Sequence, residues 1–163
     1  MDAVQPLTPA DRRARIEMIR QLPARVRAAV AGLTPEQLTT RYLPDEWSVA
    51  QIVHHLADSH IQAYVRTKMI LTAERPTLMP YSQVAWASTP DALGPDLEPS
   101  LRILDGLQAR WADLLASVPD DGWSRVGVNP ETGEVPLERI LRTYSRHGES
   151  HVDQIRNVLA AAK

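Results

Sequence analysis

Two imidazoles one helical turn apart, His147 and His151 in the run YSRHGESHVDQI, are the side chains best placed for chemistry in this chain. A neutral imidazole is a poor core residue unless its ring nitrogens are satisfied, and two on one stripe can share a metal ion. At about 100° per residue, Ile140, His147, His151 and Val158 fall within roughly 40° of one another. Glu138, Arg139, Arg142, Arg146, Glu149, Ser150, Asp153 and Arg156 lie largely off that stripe, so both imidazoles point where the apolar residues point. Two readings carry equal weight. Either the pair is buried and satisfied by backbone carbonyls or water, or it supplies two ligands of a metal and asks for a third.

Three further histidines stand in WSVAQIVHHLADSH, which spans Trp47 to His60. Ser48 followed by Gln51 has the form of a capping box, so a helix is predicted from Val49 to about Glu74, stopped by Pro76. Ile52, Val53, Leu56, Ala57, Tyr64 and Leu71 form most of its apolar side. His55 shares a different, polar stripe with Gln51, Ser59, Gln62 and Arg66, while His54 and His60 point elsewhere. Such a stripe is either solvated surface or the wall of a cleft, and periodicity favours solvated surface.

EWSVAQIVHHLADSH, YVRTKMILTAERPTLMPY, the pair Arg110 and Trp111, and YSRHGESHVDQI together resemble the DinB superfamily. Within it the likeness is greatest to the YfiT-like branch, described as metal-dependent hydrolases and related to the bacillithiol S-transferases. It extends from the helix near Thr8 to Ile155. Its most specific elements are the histidine eight residues after Trp47 and the later HxxxH pair. In that family one histidine of the second long helix and two of the last helix hold a divalent metal, often nickel or zinc, inside a four-helix bundle. The resemblance therefore implies a ligand set of His55, His147 and His151, where spacing by itself supports only the pair. Family members often carry a histidine where Asn129 precedes Pro130. The departure there leaves the part played by this loop open.

Three imidazole ligands suit a borderline divalent ion such as zinc or nickel and leave positions for water or substrate. An open site of this kind lowers the pKa of bound water to about 7, or takes up a thiol as thiolate. Structural sites are usually closed by four protein ligands, so the implied set points to catalysis, with His60 or Asp58 as the residues able to close it instead. Zincins place a glutamate directly after the first histidine of HExxH. Here that position is Gly148, and Glu149 lies about 160° from the facing direction. No general base adjoins the pair, and the metal itself is expected to activate the nucleophile. Arg66 can meet an anionic substrate group or form a surface ion pair. Asp58 can orient an imidazole or lie exposed. Tyr144 can line the pocket or pack in the core. Trp47 is read as packing at the start of its helix and Trp111 as interhelical core.

Composition fits one domain over residues 1–163, with a core large enough to be stable unaided. The chain has no cysteine, which removes disulfides, thiolate ligands and a protein thiol nucleophile together. Any thiol must come with the substrate. A net charge of -2 with mixed signs gives no electrostatic footprint for nucleic acid. The stretch MDAVQPLTPADRRAR lacks the apolar core of a signal peptide, and no apolar run is long enough for a membrane span, so a cytoplasmic location is expected. A homodimer is what the resemblance implies.

Four long helices are predicted, giving an all-α four-helix bundle with one long crossover loop. The first starts at Thr8 and Pro9 and runs toward Gly32, bent or interrupted at Pro23, with Ile16, Ile19, Leu22, Val26, Val30 and Leu33 inward. A short helical turn follows Thr34 and Pro35. The second long helix carries His55. Five prolines between Arg75 and Ser100 predict a long ordered connection without regular structure, whose Met79, Tyr81, Val84 and Trp86 can pack over a pocket. The third long helix spans about Pro99 to Val118. Asn129, Pro130 and Gly133 mark a turn or small hairpin before the last helix, with Pro136 at its first position. Three functions fit this chemistry on a small-molecule substrate. They are transfer of a low-molecular-weight thiol of the bacillithiol type, hydrolysis by activated water, and a non-enzymatic metal-dependent binding module.

Overall fold

The computed structural model describes residues 5–162, so the MDAV that opens the chain lies outside the described residues. Four long helices, α1 (Pro9–Val30), α3 (Val49–Thr72), α5 (Glu98–Ala116) and α6 (Leu137–Ala160), make a bundle. Short helices α2 (Pro35–Thr39) and α4 (Gln83–Trp86) and a hairpin of β1 (Val126–Asn129) and β2 (Gly133–Pro136) connect them. The helices start where capping chemistry says they should. Thr8, Thr34 and Ser48 each accept a hydrogen bond from the backbone N–H three residues on, and Asp11, Gln37 and Gln51 reach back to complete capping boxes. Pro136 caps α6 from outside rather than opening it. No helix among the described residues is long and apolar enough to cross a membrane.

α1 runs uninterrupted through Pro23, which removes interruption from the two expected outcomes there, a bend or a break. Proline removes one intrahelical hydrogen bond, and packing of α1 against both α5 and α6 holds the helix across that gap. α3 packs against the same two helices, which puts α1 and α3 on opposite corners of the bundle. α3 and α5 run parallel, with His54 beside Ser100 and Thr67 beside Trp111, so the crossover between them must return along the bundle, and this predicted irregular connection is more structured than expected. It carries α4, a 3-10 turn at Pro90–Ala92, and a parallel bridge from Thr77 to Val128. Backbone pairing explains the bridge: Leu78 N–H donates to Val128 O at 2.8 Å, and Val128 N–H donates to Pro76 O at 2.8 Å. The hairpin pairs antiparallel from Val126 opposite Pro136 to Asn129 opposite Gly133. Its turn is closed by Asn129 Oδ1, which accepts from the N–H groups of Glu131 and Thr132, and by Gly133 at φ 80°.

The core has two apolar halves. Leu22, Val26, Ile52, Val53, Leu56, Leu104, Val152 and Ile155 pack toward one end, and Ile19, Ala63, Ile70, Trp111, Leu115, Leu137 and Leu141 toward the other. Between them a polar layer crosses three of the four long helices, with Ser59 and His60 on α3, Gln108 on α5 and Ser145 on α6 all buried. Helices α1 and α6 approach closely at this level. A Cβ on Gly148 would lie 2.8 Å from both Cδ atoms of Leu22. Gly106, on α5, faces open space. Replacing Gly148 with Ala is expected to destabilise the fold by about 1–3 kcal/mol through overpacking. Replacing Gly106 with Ala should stabilise it by about 0.5–1 kcal/mol by restricting the unfolded chain. Urea unfolding of the two variants reads the opposite signs directly.

Candidate metal centre

α3 and α6 present their histidines to one another across the bundle. Nε2 of His147 lies 3.1 Å from Nε2 of His151 and 3.4 Å from Nε2 of His55. The three form a group able to offer one ligand atom each, all within 4.8 Å of one another. An ion holding imidazoles at about 2.0–2.1 Å in tetrahedral or octahedral geometry separates the nitrogens by about 2.9–3.4 Å. Both separations from His147 are those of neighbouring ligands on one ion, and the third pair lies within 4.8 Å. Among the described residues this is the group of histidines and carboxylates so arranged.

Hydrogen bonding on the far side of His151 fixes which of its nitrogens carries the proton. Glu46 Oε2 can only accept, so the Gln154 carboxamide turns its Nε2 toward Glu46. Gln154 Oε1 then faces His151 Nδ1 at 2.7 Å, and Nδ1 carries the proton. Nε2 is left as a lone pair aimed at the centre. A second chain runs inward from His147. Its Nδ1 lies 3.3 Å from His60 Nε2, and His60 Nδ1 lies 2.6 Å from the amide nitrogen of Gln108. A ligand binding through Nε2 carries its proton on Nδ1. His147 then donates to His60, His60 donates from Nδ1, and Gln108 must offer Oε1. That oxygen is buried without a partner as placed, so the metal-ready arrangement turns the Gln108 amide over. His55 is held by packing, with the Trp47 ring tilted over it at 4.7 Å.

Burial keeps these rings neutral. Desolvation, followed by the charge of His151, lowers the His55 pKa to about 4. Desolvation lowers His60 to about 3 and His147 to about 2, the other imidazoles of the cluster adding to the effect on His147. His151 is lowered by desolvation, opposed by its bond to Gln154 and the charge of Glu46. At neutral pH the nitrogens are available to a cation without first losing a proton.

The other candidate residues sit elsewhere. The stripe carrying His55 is not solvated surface: Gln51, His55 and Ser59 are all buried, with Trp47 and the α6 histidines packed on His55 and the crossover reached by Gln51, whose Nε2 donates to Ala87 O at 2.7 Å. His60 stands behind His147 and outside the three-histidine group, so it backs the site and does not close it. Asp58 forms no hydrogen bond to an imidazole. Burial raises its pKa, the nearby Asp91 adds to the rise, and His54 opposes it. His54 is bound to Ser100 Oγ and Gly94 O, away from the site. Glu149 pairs with Arg25. Tyr144 packs its ring 5.3 Å from that of His60 and 5.4 Å from that of His147. Arg66, read as a surface ion pair or an anion contact, makes no salt bridge among the described residues and donates to Met79 O at 2.7 Å. Asn129 closes the hairpin turn and is absent from the histidine group. Trp111 is fully buried and donates to Thr67 Oγ1.

Sequence reasoning missed Glu46, Gln154, Gln108 and the position of His60. Gln154 is signalled by its place three residues after His151, where side chains meet on a helix. Glu46 lies in a loop and gives no periodic signal.

His147 and His151 open on a recess of about 450 Å³ whose other walls are Asp45, Glu46, Trp47, Gln83, Val84 and Gln154. The ligand face is thus reachable from outside and is not closed by a fourth protein ligand.

Comparison with known proteins agrees with this fold. The DinB superfamily profile matches residues 18–155. A Geobacillus kaustophilus protein, provisionally named a metal-dependent hydrolase, is 46% identical over 142 residues, which are 86% of this chain and 79% of that protein. The solved structure of YfiT from Bacillus subtilis, described as having an unusual four-helix bundle topology, superposes with a TM-score of 0.92 at 33% identity, covering 97% of this chain and 91% of that one. A mycothiol-dependent maleylpyruvate isomerase shares the fold, with a TM-score of 0.67 at 15% identity over 88% of this chain and 60% of that one.

Two outcomes are expected. Gln154→Leu frees the His151 tautomer and should weaken zinc or nickel binding by about 10–100-fold. Competition with a chromophoric chelator measures it, and unchanged affinity would remove Gln154 from the site. The second concerns pH. Folded-state pKa values below the ordinary 6.5 mean that the unfolded chain takes up protons first as pH falls. Their stability is therefore fully present above about 6.5 and is lost as pH falls toward the folded values. Chelator-treated protein should be measurably less stable to urea at pH 5.5 than at pH 7.5, above the range where carboxylates titrate. A flat profile would mean that the histidines are not held neutral by the fold.

Proposed function

The chain belongs to the DinB superfamily, and from that premise we propose that it is a metal-dependent enzyme activating a low-molecular-weight thiol for attack on an electrophilic small molecule. The observation that carries the reading is the cluster of three histidines within reach of one ion, two of which, His147 and His151, open on a recess. All three are neutral imidazoles, which fits a single zinc or nickel ion and leaves its charge uncompensated. When bound, such an ion supplies Lewis acidity that ionises a thiol or a water at neutral pH.

The residues of the chain do the rest. His55, His147 and His151 fix the ion on one face. Gln154 and His60 hold two of those rings in the ligating tautomer. Trp47 and Val84 give the recess apolar wall for an organic substrate. Glu46 uses one carboxylate oxygen on Gln154, leaving the other to accept the proton that the nucleophile loses. With no cysteine in the chain, the sulfur must enter as substrate.

Hydrolysis by activated water is the second reading, and one observation favours it. Glu46 supplies at the mouth of the site the carboxylate that the sequence around the histidine pair lacks. The provisional name of the Geobacillus relative points the same way. The isomerase that shares the fold at 15% identity uses mycothiol by its name, and that likeness bears on fold alone.

Zinc- or nickel-loaded protein incubated with a panel of electrophiles and activated esters, with and without bacillithiol, separates the two by mass spectrometry. The expected result is thiol adducts that require thiol, protein and an intact His151, with His151→Ala at background. Products that gain water without thiol would overturn the transferase reading in favour of hydrolysis.

A further inference from the structure

Tyr144, whose ring lies beside those of His60 and His147, also lines a second recess, of about 180 Å³, to which no histidine contributes. α3 contributes Arg66 to it, the crossover Leu78, the hairpin Asn129, and α6 Arg139, Thr143 and Tyr144. Its polar lining consists of donors. Arg66 spends one N–H on Met79 O, and Arg139 makes no hydrogen bond or salt bridge among the described residues. Asn129 commits its Oδ1 to the turn, so its amide N–H groups are what remain. Thr143 and Tyr144 bring hydroxyls. No carboxylate lines the recess. Glu134 of β2 is paired with Arg75, and Glu138 of α6 with Arg12 and Arg142.

Two guanidinium groups facing one small hollow repel each other unless an anion sits between them, and in most folds a carboxylate of the chain takes that place. Here none does. We propose that this recess binds the anionic group of a small molecule, a carboxylate or a phosphate, held by Arg66 and Arg139 with hydroxyl and amide donors around it. It rests on the proposed function only in naming that molecule as the substrate. Tyr144 joins the two places. Its ring packs on His147 and His60, and the Arg66 guanidinium works against the burial that raises its phenol pKa. A group seated in the recess is therefore one helical turn of α6 from the ligand His147.

The test needs no metal, which separates it from the reaction. Full-length protein, both metal-loaded and chelator-treated, is titrated with inorganic phosphate and separately with acetate at low ionic strength by calorimetry. Saturable binding is expected in both metal states. Arg66→Met and Arg139→Met should each weaken it at least about ten-fold through loss of a charge-assisted pair, and Arg146→Met, an exposed cation outside the recess, should leave it unchanged. Tighter phosphate assigns a phosphoryl group and tighter acetate a carboxylate. Arg139 is exposed and unbonded, so its variant decides the matter even where Arg66→Met does not fold. Absence of saturation overturns the proposal. So does binding that disappears with the metal, or an equal effect of Arg139→Met and Arg146→Met. If the anion binds but no thiol transfer is found, the recess stands and the reaction assignment falls.

Discussion

Three lone pairs crowd one point inside the bundle, and the surrounding structure is arranged to keep them lone pairs. With His147 Nε2 at 3.1 and 3.4 Å from its two neighbours, the arrangement is repulsive in a medium of low dielectric unless a cation sits among them. Burial drives protons off the rings. The chain from Glu46 through Gln154 pins one tautomer, and the chain through His60 and Gln108 sets another. The same demand explains the polar layer that divides the core, where buried His60, Gln108 and Ser145 occupy positions that leucines would fill in a bundle built for stability alone. A cation that binds only the folded chain returns stability by mass action, about 2.7 kcal/mol at one hundred times its dissociation constant. Folding and metal loading are linked for that reason.

Topology serves the same end. With α1 and α3 at opposite corners, α3 is free to lie beside α6, and ligands far apart in sequence meet. The crossover, which the parallel run of α3 and α5 requires, is fastened at two points on α3. Gln51 holds Ala87 O, and Arg66 holds Met79 O. His55 lies between those two anchors along the helix. The segment strung between them, with Gln83 and Val84, walls the mouth of the site. An element that reads as a loop in sequence is thus part of the wall of the recess beside His147 and His151, held there by its ties to α3.

Helix starts were legible in the sequence because they depend on local chemistry: the Thr8, Thr34 and Ser48 boxes are each complete within a few residues. The inward direction of His147 and His151 was legible from period alone. The His55 stripe reads as exposed in sequence because its burial comes from α6, Trp47 and the crossover, which periodicity on α3 cannot see. The resemblance to a family supplied what the helix pattern withheld, the association of His55 with the later pair. Gln108 and Glu46 escaped both routes. One lies on a helix whose facing partner is set by tertiary packing, the other in a loop whose path is set by Trp47 packing on His55.

Charge decides what such a site can hold. Three neutral imidazoles contribute none, and the nearest carboxylate, Glu46, reaches His151 only through the Gln154 amide. An ion bound there keeps its full charge toward the open side, so an anionic nucleophile is favoured over a neutral one. The second recess repeats the preference with guanidinium groups in place of a metal. Tyr144 is common to the two, lining the second recess and packing its ring beside that of His147. A change at Tyr144 is therefore felt at both places, in the wall of the second recess and against the ring of His147.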